Sequence, residues 1–180
     1  MRIIGVDPGS TITGYAVIEC QGDEIKVLTM GIIKLTKFDN HQQKLREIFL
    51  RVQDVIERYN PSTMAIEAPF YGKNPQSMLK LGRAQGVAIA AASAMDLDVE
   101  EFSPKRIKQS ITGNGNASKH KVAGMLAIIL GANLDDKTLD ATDALAVAVC
   151  MSYGQKNNLQ SNKGGSWNDF IKSNPGRVVS

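Results

Sequence analysis

Apolar and polar positions fall into two regimes along the chain, short β-branched runs first and helical repeats later. Arg2 to Asp7 carries Ile3, Ile4 and Val6, a short buried strand that Pro8-Gly9-Ser10 turns aside. An extended pattern resumes from Gly14 to Cys20, breaks at Gln21-Gly22-Asp23, and returns from Ile25 to Ile33. Three consecutive strands with short turns predict an antiparallel meander at the start of a mixed sheet. Asn40 to Tyr59 then repeats Leu45, Ile48, Phe49, Val52, Val55, Ile56 and Tyr59 at steps of three and four, with charges on the other face, which predicts an amphipathic helix. Thr63 to Glu67 reads as a fourth strand and Asp98 to Phe102 as a fifth. Between them Ser77 to Met95 is a helix rich in Gly and Ala, including Gly82 and Gly86, small enough for another backbone to approach. Ser103-Pro104 starts a short helix to about Ile111. The Gly113 to Asn116 loop follows it, then helices from Lys119 to Leu130 and from Leu139 to Tyr153.

The pattern describes an α/β fold with a five-stranded mixed sheet flanked by helices, occupying residues 1–153. From Gly154 onward Gln, Asn, Ser, Lys and Gly dominate, so 154–180 reads as a polar, mobile tail. Composition narrows the class further. The chain has 180 residues, 43% of them hydrophobic and 22% charged, which suits one soluble domain and excludes collagen-like or low-complexity architectures. Two cysteines, Cys20 and Cys150, cannot build a disulfide framework, and with only two histidines beside them the composition argues against a zinc site; a reducing compartment is expected. The apolar run from Val87 to Met95 is far below a membrane span, and the N-terminal apolar segment is too short for a signal-peptide core.

Four carboxylates sit in apolar surroundings. Asp7 and Glu67 each end a buried strand, while Asp140 and Asp143, three apart and hence on one helical face, open a helix too apolar to be exposed. Each has an ordinary structural explanation: a strand-to-turn residue, a strand end facing water, a helix cap, a first-turn acid suited to the helix dipole. Their conjunction favours a site, because strand ends and a helix N-terminus converge in α/β sheets. Gathered anions of this kind attract cations. Oxygen donors select Mg²⁺ or Mn²⁺, and two such ions about 4 Å apart suit in-line attack on a phosphodiester. No Ser-His-Asp or Cys-His nucleophile set competes.

The net charge of +3 conceals two stretches without acids. Lys105, Arg106, Lys108, Lys119 and Lys121 occupy one, and Lys73, Lys80 and Arg83 the other. A solvated basic face accounts for such runs; so does nucleic acid, whose phosphates suit the neighbouring Gly, Asn and Ser loops. Phe70 and Tyr71, beside Lys73, are either edge packing or aromatics that stack on bases.

Four segments together resemble the RuvC family of bacterial Holliday junction resolvases: Gly5-Val6-Asp7-Pro8-Gly9, Ala65 to Phe70, Lys80 to Gly86, and Asp140 to Ala146. The similarity runs in order from residue 1 to about 152. It implies an RNase H-like fold and a homodimer that cuts four-way DNA junctions by two symmetric metal-dependent nicks in recombination and repair. It also implies that Asp7, Glu67, Asp140 and Asp143 bind two Mg²⁺ per subunit, replaceable by Mn²⁺. The resemblance further maps catalytic-loop lysines onto Lys108 and Lys119, a junction-stacking aromatic onto Phe70, and a dimer helix onto the stretch from Ser77. The RuvA–RuvB branch-migration proteins are the implied partners, with no membrane, and the bacterial cytoplasm the implied location. Three rivals are weaker. Asp7 to Thr11 also resembles the phosphate loop of actin-like ATPases, but their second loop and adenosine motif are missing. A non-catalytic junction-binding module leaves the four acids without purpose. An RNase H-like nuclease acting on RNA shares only the first motif.

Overall fold

In the computed structural model, which describes residues 1–69, 74–132 and 139–161 (the last six as backbone), five strands and five helices form a three-layer α/β unit. Strands β1 (Arg2–Asp7), β2 (Ile12–Gln21) and β3 (Glu24–Lys34) make the antiparallel meander. Strands β4 (Thr63–Glu67) and β5 (Asp98–Phe102) add parallel pairs on the other side of β1, giving the order β3-β2-β1-β4-β5. β1 is thus central and buried on both faces, as its unbroken apolar run requires.

Alternation along β1 and β4 sorts the core. Ile3 and Ala65 face one layer, built from α3 (Pro104–Thr112), α4 (Lys119–Leu130) and α5 (Leu139–Ser161). Ile4, Val6, Met64 and Ile66 face the other, built from α1 (His41–Tyr59) and α2 (Pro75–Ser93). Side-chain caps set where these helices begin. The Asn40 carboxamide oxygen accepts from the Gln43 amide at 2.8 Å, and the Ser103 and Ser118 hydroxyls accept from the third amide beyond them at the starts of α3 and α4.

α5 runs to Ser161, eight residues past the expected end at Tyr153, so the polar composition after Gly154 does not stop the helix. Gln, Lys and Asn have ordinary helix propensities, and a composition shift carries no stop signal of the kind a Gly-Pro pair would. α2 likewise starts at Pro75 rather than Ser77, because the Asn74 side chain caps it and proline suits the first turn. The rest of the tail lies outside the described residues. Neither cysteine forms a disulfide, and no helix among the described residues is long and apolar enough to cross a membrane.

Candidate active site

β1 and β4 are parallel neighbours, with Val6 opposite Ile66, so Asp7 and Glu67 end the two strands side by side. Adjacent strands lie about 4.8 Å apart. Period-two alternation places both carboxylates on the face of Ile3, Gly5 and Ala65, which is the face covered by α5.

Two glycines bring α5 close enough to complete the group. A Cβ on Gly5 would lie 2.2 Å from the Ala144 carbonyl oxygen, and one on Gly14 would lie 2.1 Å from that of Asp140. The backbone of α5 therefore rests on the bare strands β1 and β2. Gly14 pairs with Asp7, so the first turns of α5, carrying Asp140 and Asp143, sit over the end of β1.

A cleft of about 280 Å³ opens at this point, and Asp7, Glu67, Asp143, Lys108 and Lys119 all line it. Leu81, Gln85, Pro104 and Ile107 contribute to its walls. Asp140 is not on the lining, although its charge acts on Asp7. Burial, then the Asp143 carboxylate, pushes the Asp7 pKa up to about 7, with Lys119 pulling the other way. Burial and the charges of Asp7 and Asp143 push Glu67 up to about 8, with Lys119 and Lys108 opposing. Lys119 Nζ donates a hydrogen bond to Asp143 Oδ2; partial burial lowers its pKa, but the bond and charge of Asp143 outweigh that and raise it.

Among the described residues no three His, Cys, Asp or Glu side chains are gathered at ion-holding distances, and Lys119 fills the space against Asp143. The donor chemistry nonetheless fits a hard cation: the acids are all-oxygen, and their mutual repulsion makes a multiply charged cation the strongest available stabiliser.

The other basic residues divide. Lys105 and Arg106 lie on α3 but outside the cleft lining. The Arg106 guanidinium sits 4.4 Å over the Phe102 ring and 3.3 Å from Glu100, while the Lys105 stem packs against Gly115. Lys121 is exposed on α4. Lys80 and Arg83 are exposed on α2, and with Lys44 they help hold the His41 pKa below its ordinary value, after burial, so they share a basic patch beside α1. Phe70, Tyr71 and Lys73 lie outside the described residues.

Two residues make contacts that no motif assigned to them: Gln85, on the cleft lining and inside the Lys80 to Gly86 segment, and Gln109 on α3. Gln85 is buried on the alanine face of α2, and its amide nitrogen donates to Glu101 Oε2 at 2.7 Å. Its signal is a polar residue on a stripe formed by Ala84, Ala88, Ala91 and Ala92. Gln109 stitches the loop before α4, donating to the Gly113 carbonyl at 2.8 Å and accepting from the Gly115 amide at 2.9 Å. It has no sequence signal beyond lying near a glycine loop.

A mixed five-stranded sheet in this order, with acids at the ends of its two central parallel strands and on the helix crossing them, defines an RNase H-like nuclease. A family model described as crossover junction endodeoxyribonuclease RuvC matches residues 3–151. The crossover junction endodeoxyribonuclease RuvC of Cytophaga hutchinsonii is 54% identical over 176 residues, covering 98% of this chain and 87% of that protein. The protein of the same description from Porphyromonas gingivalis is 51% identical over 184 residues, covering 98% and 96%. Among solved structures, T. thermophilus RuvC in complex with Holliday junction substrate matches with a TM-score of 0.81 at 28% identity, over 88% of this chain and 96% of that one. The chain belongs to the RuvC family of crossover junction endodeoxyribonucleases, whose members are metal-dependent junction-resolving nucleases.

Proposed function

We propose that this chain resolves four-way DNA junctions as a homodimer, each subunit nicking one strand at the cleft lined by Asp7, Glu67 and Asp143, with Asp140 beside it. The observation that carries the reading is the cleft itself, which gathers three carboxylates and two lysines beside the ends of two parallel strands. The four acids would hold divalent cations, Mg²⁺ in the cell and Mn²⁺ as a substitute, two per subunit. When bound, the ions lower the pKa of an attacking water and stabilise the leaving 3′ oxygen.

The chain's own residues do the remaining work. Asp7 and Glu67, fixed by the sheet, define where the scissile phosphate must come. Lys108 and Lys119 supply positive charge in the same cleft, where the pentacovalent phosphate would gain negative charge. Leu81, Pro104 and Ile107 give the cleft an apolar flank that limits water access. Lys80, Arg83, Lys105, Arg106 and Lys121, with Lys73, would meet backbone phosphates of the junction arms. Phe70 and Tyr71 follow β4 closely and would stack on bases where strands cross.

One 180-residue chain supplies one cleft, whereas two symmetric nicks need two. α2 supports a dimer: Leu79 is 61% exposed, it lines an apolar groove with Pro75, Met78 and Gly82, and a Cβ on Gly82 or Gly86 would meet nothing. Residues 1–153 would form the nuclease domain, in the bacterial cytoplasm, with RuvA–RuvB as partners. The test incubates synthetic four-way junctions with the wild type and Asp7→Asn, with and without Mg²⁺. Paired, ligatable nicks from the wild type with Mg²⁺ alone are expected; junction binding without cleavage under every metal would overturn the enzymatic reading.

A further inference from the structure

Lys119 is placed to do something before any substrate arrives. Its ammonium is hydrogen-bonded to Asp143, whose side chain is only 17% exposed, and its charge acts on Asp7, Asp140 and Glu67 as well. The lysine therefore neutralises the acidic cleft from within. The oxygen it holds, Asp143 Oδ2, belongs to one of the acids assigned above to the cation.

We propose that Lys119 is the resident counter-ion of the cleft, competing with the incoming divalent cation for Asp143 and released from it when the cation binds. The inference rests on the metal-binding reading of the four acids given above. Three features make the exchange feasible. The lysine side chain is 59% exposed, so it can leave without opening the core. It is the first residue of α4, and the Ser118 hydroxyl, 3.3 Å from the Lys121 amide, holds that helix end by its backbone whichever way the Lys119 side chain points. Its flexible four-carbon stem carries a compact, readily hydrated charge that can relocate, unlike a planar guanidinium locked in a fork.

The arrangement has a functional consequence. Without metal, the cleft avoids the full repulsion of its buried acids. Once the cation takes Asp143, the ammonium is free at the rim of a cleft that DNA must enter, so loading the ion also exposes a phosphate ligand. A phosphate drawing Lys119 away from Asp143 eases entry of the ion by the same amount, because coupling between two ligands is reciprocal.

The experiment measures Mn²⁺ binding without DNA, by calorimetry and by loss of the free-ion electron paramagnetic resonance signal. It uses wild type, Lys119→Ala, Lys119→Arg, Asp7→Asn and Asp143→Asn, and thermal melts in chelator and in Mn²⁺ accompany each. Removing the competing charge should tighten Mn²⁺ binding by Lys119→Ala about tenfold, the scale of one unit charge a few ångströms away in a partly solvated site. Lys119→Arg keeps the charge and should stay near wild type. The Ala variant should also melt lower than wild type in chelator at pH 8 and recover with Mn²⁺, a metal-linked recovery that a purely structural lysine would not give. Equal or weaker Mn²⁺ binding by Lys119→Ala, with Asp7→Asn and Asp143→Asn impaired, overturns this inference and leaves the metal site standing. Wild-type Mn²⁺ affinity in both Asn variants overturns the metal site and this inference with it.

Discussion

Asp7 and Glu67 lie one step beyond the Val6–Ile66 pair on adjacent parallel strands, with their side chains on the same face of the sheet. No side-chain flexibility is needed to bring them together; the register does it. Burial makes their charged forms costly and is the main reason both acids ionise late. The Asp143 charge adds to it at Asp7, and the charges of Asp7 and Asp143 add to it at Glu67.

The first prediction follows from that cost. The Asp7 pKa rises from 3.8 unfolded to about 7 folded, so the native state retains its proton where the unfolded chain has lost it. Stability from this group is fully present below pH ~4, declines as pH rises toward about 7, and stays low above it. Asp7→Asn lacks the titration. In chelator at pH 8 it should exceed wild type by about 1–3 kcal/mol, less than the full linkage value because the site is partly solvated. At pH 4 the two should coincide. Urea denaturation at both pH values checks this, and a gap that does not grow with pH would contradict it.

The second prediction concerns α5. Gly14→Ala places a methyl group 2.1 Å from the Asp140 carbonyl oxygen, which neither backbone can absorb without moving the helix. A loss of about 1–3 kcal/mol is expected. Cleavage should fall much further than the folded fraction, because the displaced turn carries Asp140 and Asp143. Denaturation and single-turnover cleavage on the same preparation separate the two effects.

The sheet and the acids were legible in the sequence for a physical reason. Ile3, Ile4 and Val6 are apolar on both faces, so only a central strand suits them, and an acid at such a strand's end stands out. The convergence of Asp7 with Asp143 was less legible, since it depends on Gly5 and Gly14 admitting α5, and a glycine in a strand reads equally well as a bulge. The basic residues were the least legible. Lys108 and Arg106 are two apart on one helix and indistinguishable by composition, yet one lines the cleft and the other is tied to Phe102 and Glu100. Gln85 was hidden because its partner, Glu101, comes from a strand sixteen residues away.

That difference between Lys108 and Arg106 gives a third prediction. Lys108→Ala should slow cleavage of a bound junction by about 10²-fold or more, as loss of a charge facing the reacting phosphate does. Arg106→Ala should leave single-turnover cleavage within a few-fold of wild type and cost about 1 kcal/mol of stability through the lost ring contact and ion pair. Single-turnover rates at saturating enzyme, with melts alongside, decide the assignment. Equal rates for the two variants would place both residues in the same class.

The last prediction addresses the proposed dimer. Along α2 the buried alanines Ala84, Ala88, Ala91 and Ala92 pack inward, whereas Leu79, Gly82 and Gly86 look outward, with Arg83 beside them on the same groove. Within one chain Gly86→Glu is tolerated, because a Cβ there meets nothing within 4 Å, and replacing an exposed helical glycine even favours the helix by up to about 1 kcal/mol. Against a second copy of α2 the same change buries an unpaired charge, which costs several kcal/mol. Gly86→Glu and Leu79→Glu should therefore melt at or near the wild-type temperature under dilute conditions while sedimenting as monomers. Paired nicking of junctions should drop with the dimer, since a monomer brings one cleft to a substrate that needs two cuts. Wild-type sedimentation by both variants would place the dimer contact on another face.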